Sequence, residues 1–142
     1  MTVTRRLNGF DIPQELLTLM ARPDWKGKRT SDAWLGRFRN PPSGFVDFCG
    51  LDHLVRENAN VRSPDLAILW GAPNLSNPPG DFDPAQGFII GFVGHVDDTI
   101  CVDFRPDKEP RVIFYDAHAN GFSTAFDSLD AFCAFYKEQH DT

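Results

Sequence analysis

The sequence predicts an α+β fold: one domain over residues 1–142, in which a mainly antiparallel sheet is flanked by helices. Three β-type runs, separated by short turn-like stretches, lie close together in the last third of the chain, at residues 87–93, 99–105 and 111–115. Helical patterns precede and follow these runs. The chain has 142 residues, 42% of them hydrophobic, which is enough for a single core.

Two short helices are predicted in the first forty residues. The stretch DIPQELLTLMA begins with Asp11 as a possible N-cap, and its leucines and Met20 share a helical face. A second helix is predicted from Ser31 to Phe38, where Trp34 and Phe38 are four residues apart. The following NPPSG ends it, because proline has no amide hydrogen and disfavours helix in the residue before it.

The middle of the chain predicts a short strand, FVDF, then a helix, GLDHLVRE, on which His53 lies off the apolar face and is interpreted as an exposed residue. A buried strand is predicted for LAILWG, residues 66–71. The proline-rich stretch at residues 72–86 has the length of a functional or mobile loop. Asp81 and Asp83 are therefore candidate contact residues, and Phe82 between them is a candidate apolar anchor.

The three β-type runs predict an antiparallel meander. The middle strand has two different faces. One face, with Ile100, Val102 and Phe104, is predicted to meet the core. The other, with Cys101, Asp103 and Arg105, carries both apolar and charged side chains. Asp103 and Arg105 are close enough to pair or to share a partner. After a loop, FDSLDAFCAFYKE predicts a helix with Asp127 as its N-cap that covers the sheet.

The formal charge of −6 is unevenly distributed. Residues 1–40 contain eight Lys or Arg against four Asp or Glu, a charge of +4, and residues 41–142 contain six against sixteen, a charge of −10. The only basic concentration lies between Trp25 and Arg39, and solvated helix faces commonly carry as many cations. The sequence thus favours an acidic body and argues against nucleic acid as a partner.

No export signal or membrane segment is indicated, because the longest apolar run, GFIIGFVG, is too short to span a bilayer. The three cysteines lack CxxC spacing and lie among apolar residues, which predicts reduced, buried thiols in the cytoplasm. No zinc site and no cofactor are predicted.

Two stretches of the sequence contain residue types that metal binding or catalysis would need. The stretch GHVDDTICVDFRP contains His95, Asp97, Asp98 and Asp103, but adjacent turn carboxylates diverge and Asp103 lies roughly 16 Å further along an extended strand. Asp116 and His118 could orient a nucleophile such as Ser123, yet the chain has no nucleophile-elbow motif. The residues of the first stretch are interpreted as turn formers at a solvated hairpin tip. Asp116 and His118 are interpreted as the end of a strand and part of a loop.

The run of residues 87–132 resembles the C-terminal half of the SUKH superfamily, the Smi/Knr-like domain. It has an apolar strand, a Gly/Asp turn, a strand ending in the DFR of Asp103 to Arg105, a loop with proline, a further strand, and the helix start near Ala125 to Phe132. Upstream, FVDFCGLDHLVRE and IPQELLTLM are similar to the strand, the leucine-bearing helix and the first helix of that family. The Trp-containing helix of the family is replaced by the segment around Trp25 and Trp34, and Asp127 departs from the usual helix start.

The resemblance implies a non-enzymatic domain of the bacterial immunity type, which binds and neutralises a cognate polymorphic toxin, often a basic nuclease. The contact residues expected on an acidic surface are Asp81, Phe82, Asp83, Asp97, Asp98, Asp103 and Arg105. Two alternatives stay open. One is a small hydrolase or metal-assisted enzyme that uses Asp116 and His118, or His95 and Asp97. The other is an intracellular regulatory scaffold domain.

Overall fold

A computed structural model of the chain describes residues 6–7, 10–41, 44–61, 87–94, 99–104, 109–116 and 121–141. These residues form four helices and eight strands. The helices are α1 (Gln14–Met20), α2 (Asp32–Arg37), α3 (Leu51–Val61) and α4 (Leu129–His140). The strands are β1 (Arg6–Leu7), β2 (Phe10–Asp11), β3 (Gly27–Arg29), β4 (Val46–Phe48), β5 (Gly87–Phe92), β6 (Thr99–Asp103), β7 (Arg111–Asp116) and β8 (Gly121–Phe126).

The six-stranded sheet has the order β3-β4-β5-β6-β7-β8, and each strand is antiparallel to its neighbours. The predicted α+β class with a mainly antiparallel sheet is confirmed, and so is the meander, as β5, β6 and β7. Two strands were not predicted from the sequence: β3 lies in the segment interpreted as basic surface, and β8 lies in the segment interpreted as a loop. Both are edge strands of the sheet in the described part of the chain.

Both faces of the central strand are buried, whereas the sequence predicted a mixed second face. All five residues of β6 are buried. Cys101 pairs with Ile89 on one side and Ile113 on the other, so the face that carries Asp103 has an apolar centre of its own. A strand buried on both faces is normally apolar throughout, which makes Asp103 an exception that needs a partner.

An aromatic core fills the space between the sheet and helices α2 and α4. Trp25, Phe48 and Phe132 are almost completely buried, and the ring of Phe48 lies 4.8 Å from Trp25 and 5.6 Å from Phe132. Phe132 also contacts Phe126 of β8 at 5.3 Å. The prediction that the last helix covers the sheet is confirmed.

The helix boundaries differ from the predictions in small ways. Helix α4 is capped by Ser128, which accepts a hydrogen bond from the amide of Ala131 at 3.0 Å, so the prediction of Asp127 as N-cap is wrong by one residue. Helix α1 begins after Pro13, so Asp11 does not cap it. On α3, Leu54 is buried as expected, but Val55 is 43% exposed.

The predicted strand at residues 66–71 and the loop at residues 72–86 lie outside the described residues. In the part of the chain that is described, no helix combines the length and the apolar character needed to cross a membrane.

Candidate partner-binding surface

One of the residues predicted to contact a partner, Asp103, can be placed in the structure. The others lie outside the described residues: Asp81, Phe82, Asp83, Asp97, Asp98 and Arg105. The same holds for His95 and His118 of the alternative enzyme hypotheses.

Asp103 is 1% exposed and bound within the sheet. It faces Arg111 directly across the β6–β7 pair, and the Nε of Arg111 donates a hydrogen bond to Oδ2 of Asp103 at 3.0 Å. Nη1 of Arg111 donates to Oγ1 of Thr124 on β8 at 3.3 Å. The prediction of Asp103 as part of an exposed contact surface is corrected, because this carboxylate is used to pair three strands on a buried face.

Asp116 and Ser123, which belong to one enzyme hypothesis, are in contact. Oγ of Ser123 donates to Oδ2 of Asp116 at 2.9 Å, and Nε of the exposed Arg39 lies 3.4 Å from the same oxygen. Asp116 is 1% and Ser123 6% exposed. Arg39 and the next residue, Asn40, have positive φ angles of 58° and 50°, and this turn brings the guanidinium from the end of α2 to the sheet. In this arrangement the three side chains tie α2 to β7 and β8.

Two of the three free cysteines are unreactive by position. Burial raises the pKa of Cys101 far above its usual value and that of Cys133 to about 12, so both thiols stay protonated at neutral pH. Cys49 is half-buried, which corrects the prediction that all three cysteines lie in the core.

A buried arginine, which sequence reasoning missed, organises the region between α1 and β3. Arg29 is 7% exposed. Its Nη1 donates to the carbonyl oxygens of Trp25 and Gly27, both at 2.9 Å, and its Nη2 donates to the carbonyl of Asp24 and to the hydroxyl of Tyr136, the latter at 2.9 Å. The guanidinium also lies 4.9 Å from the ring centre of Phe48.

Further ion pairs link this arginine to the end of the chain, and we call the whole set the Arg29 cluster: Arg22, Asp24, Arg29, Tyr136, His140 and Asp141. Tyr136 donates to Oδ1 of Asp24 at 2.7 Å. Arg22 binds the Asp24 carboxylate through two nitrogens, at 3.1 and 3.0 Å, and Asp141 at 2.6 Å. Two arginines of the basic N-terminal third, Arg22 and Arg29, therefore have their hydrogen-bond partners within the protein.

The Arg29 cluster predicts how stability depends on pH. Removal from water, aided by the positive charge of Arg29, lowers the pKa of His140 below its ordinary 6.5, so the folded protein keeps this ring neutral. As the pH falls below 6.5, the unfolded chain binds a proton that the folded chain does not, and the free energy of unfolding decreases. Hydrogen bonds from Arg22 lower the pKa of Asp24 from 3.8 to about 2. The ionised Asp24 therefore stabilises the folded protein at pH values above 3.8, and this stabilisation is lost as the pH falls toward 2.

Urea unfolding at a series of pH values between about 7 and 5 checks this expectation. The variant His140→Phe keeps a ring stacked on Tyr136, 4.4 Å away in the native protein, and removes the titrating group. We expect its stability to change less over this range than that of the native chain. Equal pH dependence of the two proteins would contradict the assignment to His140.

A groove lies between the β3–β4 edge of the sheet and the first turns of α3. It has a volume of about 600 Å³. The residues that line it are Lys26, Gly27, Asp47, Phe48, Cys49, Gly50, Leu51, Asp52, His53 and Arg56. His53 is exposed, as predicted. The sequence did not indicate the groove, because its walls come from two separate stretches of the chain, residues 26–27 and 47–56. We call it the β3–α3 groove.

In the described ranges, no group of three or more His, Cys, Asp or Glu side chains is placed to hold a metal ion. Comparisons of the chain with protein-family models, with curated proteins and with solved structures gave no match.

Proposed function

We propose that this protein is a non-enzymatic binding module, an immunity protein of the SUKH type that binds and neutralises a cognate toxin in the cytoplasm. The charge of −10 on residues 41–142 is the observation that carries the proposal, since it suits a partner with a basic active surface, such as a nuclease. Complementary fields speed the encounter of such partners and exclude like-charged competitors.

Helices α1 and α4 support this proposal on the described surface. Asp130 and Glu138 are exposed on the outer side of α4, with the small Ala131 and Ala134 between them. The one lysine of this helix, Lys137, is paired with Glu15 of α1 at 3.4 Å. The outer side of α4 therefore carries net negative charge with little steric obstruction at its centre.

Carboxylates that are paired within the fold favour binding over chemistry as well. Asp103, Asp116 and Asp24 each hold a partner within the fold, at 3.0, 2.9 and 2.7 Å. Carboxylates used in this way stabilise the fold, and the exposed carboxylates are left for the partner. An exposed ion pair contributes only about 0–1 kcal/mol, so affinity also needs an apolar centre, for which Phe82 stays our candidate.

Coexpression with the product of a neighbouring toxin gene tests this function. We expect the protein to rescue growth and to copurify with the toxin, and added salt to weaken the complex. Reversing Asp81, Asp83, Asp97 or Asp98 to lysine should weaken binding by about tenfold, whereas Glu109→Lys, an exposed control of equal charge change, should not. If every reversal leaves affinity unchanged in folded protein, the acidic-surface hypothesis is wrong.

The second candidate function is a small hydrolase, and the observation that favours it is the contact of Ser123 with Asp116 at 2.9 Å. The same coexpression assay separates the two functions. His118→Ala leaves rescue intact for a binding module and abolishes it for an enzyme that depends on this histidine. A regulatory scaffold domain has the fold of a binding module and would differ from it only in its partner.

A further inference from the structure

We propose that the β3–α3 groove binds an extended acidic segment of a partner protein. This site is separate from the acidic surface considered above and has the opposite charge preference. The inference does not rest on the toxin hypothesis, since it follows from the groove alone.

The groove is lined by two cations, Lys26 and Arg56, for which no ion pair is seen among the described residues. Arg22, Arg39, Arg111 and Lys137 each form an ion pair, but in the described part of the chain neither Lys26 nor Arg56 does. Both are exposed, in a protein whose net charge is −6. Unpaired cations that flank a cavity favour an anionic group from outside the chain.

The position of Lys26 is defined by packing. A Cβ atom built on Gly50 would lie 2.9 Å from Cδ of Lys26, so the aliphatic part of this side chain rests on the backbone of Gly50. A lysine held in this way loses less side-chain entropy on binding than one that is free in solvent. Lys26 lines the groove together with Arg56 of α3.

The wall opposite α3 is formed by β4 and by Gly27 of the edge strand β3. Within the described residues β3 pairs only with β4, and its Gly27 and Lys28 are exposed. An extended peptide can add to such an edge through main-chain hydrogen bonds, with alternate side chains entering the neighbouring pocket. A volume of about 600 Å³ lies within the range of small-ligand pockets and accommodates such side chains.

The signs of charge around the groove favour a peptide over a nucleic acid. Asp47 and Asp52 line it together with Lys26 and Arg56. A continuous phosphate backbone would be repelled by these carboxylates, and a few cations release few counterions. A peptide that alternates acidic and neutral residues can place its carboxylates at the cations and pass the aspartates with uncharged side chains.

The test uses a fluorescein-labelled peptide of about eight residues with alternating Glu and Val, added to the full chain and followed by fluorescence anisotropy. We expect saturable binding that weakens with salt. The variant Lys26→Glu/Arg56→Glu should bind about tenfold more weakly or worse. The matched control Arg37→Glu/Lys137→Glu, with the same charge change on α2 and α4, should stay within about twofold of the native chain.

Urea unfolding of both variants confirms that they are folded before binding is compared. Absence of saturation below about 1 mM, equal binding of the corresponding Lys–Val peptide, or equal loss in the control variant would overturn the proposal. Displacement of the peptide by a single-stranded oligonucleotide at a lower concentration than by unlabelled peptide would also overturn it, in favour of a nucleic-acid site.

Discussion

The variant Arg29→Ala is expected to unfold with a free energy about 4 kcal/mol lower than that of the native chain. The substitution removes the donors for three backbone carbonyls and for the Tyr136 hydroxyl. Buried acceptors without donors cost roughly 1–3 kcal/mol each when nothing replaces the lost hydrogen bond. Loss of the packing of the guanidinium against Phe48 and Trp34 adds to this cost.

The midpoint of urea unfolding measures the effect, provided that the denaturant slope stays constant. Arg37→Ala is the control, because Arg37 is exposed and its guanidinium stacks on the rings of Phe126 and Phe135, at 4.9 and 5.1 Å. Its expected cost is below about 1 kcal/mol. Similar losses in the two variants would mean that the hydrogen bonds of Arg29 contribute no more than a surface stacking contact does.

Gly91→Ala is the second substitution with a large expected effect, a loss of about 3 kcal/mol or more. Gly91 lies opposite Phe48 in the β4–β5 pair, next to a register shift in β5. A Cβ atom there would overlap the carbonyl oxygen of Asp47 and lie 3.1 Å from Cδ1 of Phe48. Because the obstacle is backbone, the two strands would have to separate locally.

Gly36→Ala provides the matched control. Nothing lies within 4 Å of a Cβ atom built on Gly36, which is exposed in helix α2. Alanine there is expected to stabilise the protein by about 0.5–1 kcal/mol, since it favours helix and restricts the unfolded chain. Thermal or urea unfolding of both variants checks the pair. A Gly91→Ala protein as stable as the native chain would show that β4 and β5 are not packed as closely as described.

Local sequence patterns were sufficient for most of the secondary structure. Short apolar runs between turn residues predict β5 to β7. The spacing of apolar residues predicts α3 and α4, because each of these helices buries one stripe. The α+β class follows from their order along the chain. The short β3 was missed since three residues carry no period, and β8 was missed because its alternation follows a stretch rich in turn residues.

The candidate sites could not be predicted from the sequence, because they are formed by contacts between residues of different elements. The basic segment around Arg29 predicts an exposed charge. In the structure Arg29 is buried against Tyr136, which lies 107 residues further along the chain. The alternation in β6 predicts that Asp103 lies on a polar face of the strand. In the structure Asp103 is buried beside Arg111 on a face with an apolar centre. Whether a charged side chain is exposed depends on which elements pack over it, and that is a property of the whole fold.

The sequence by itself determined the fold class, the meander, the covering helix and the acidic bias of residues 41–142, because each of these depends on residue type and on spacing within one element. The tertiary structure alone decided which charged side chains form ion pairs within the fold, and it assembled the β3–α3 groove from two separate stretches of the chain. The physical reason is that pairing and desolvation act between side chains brought together by folding, whatever their separation along the chain.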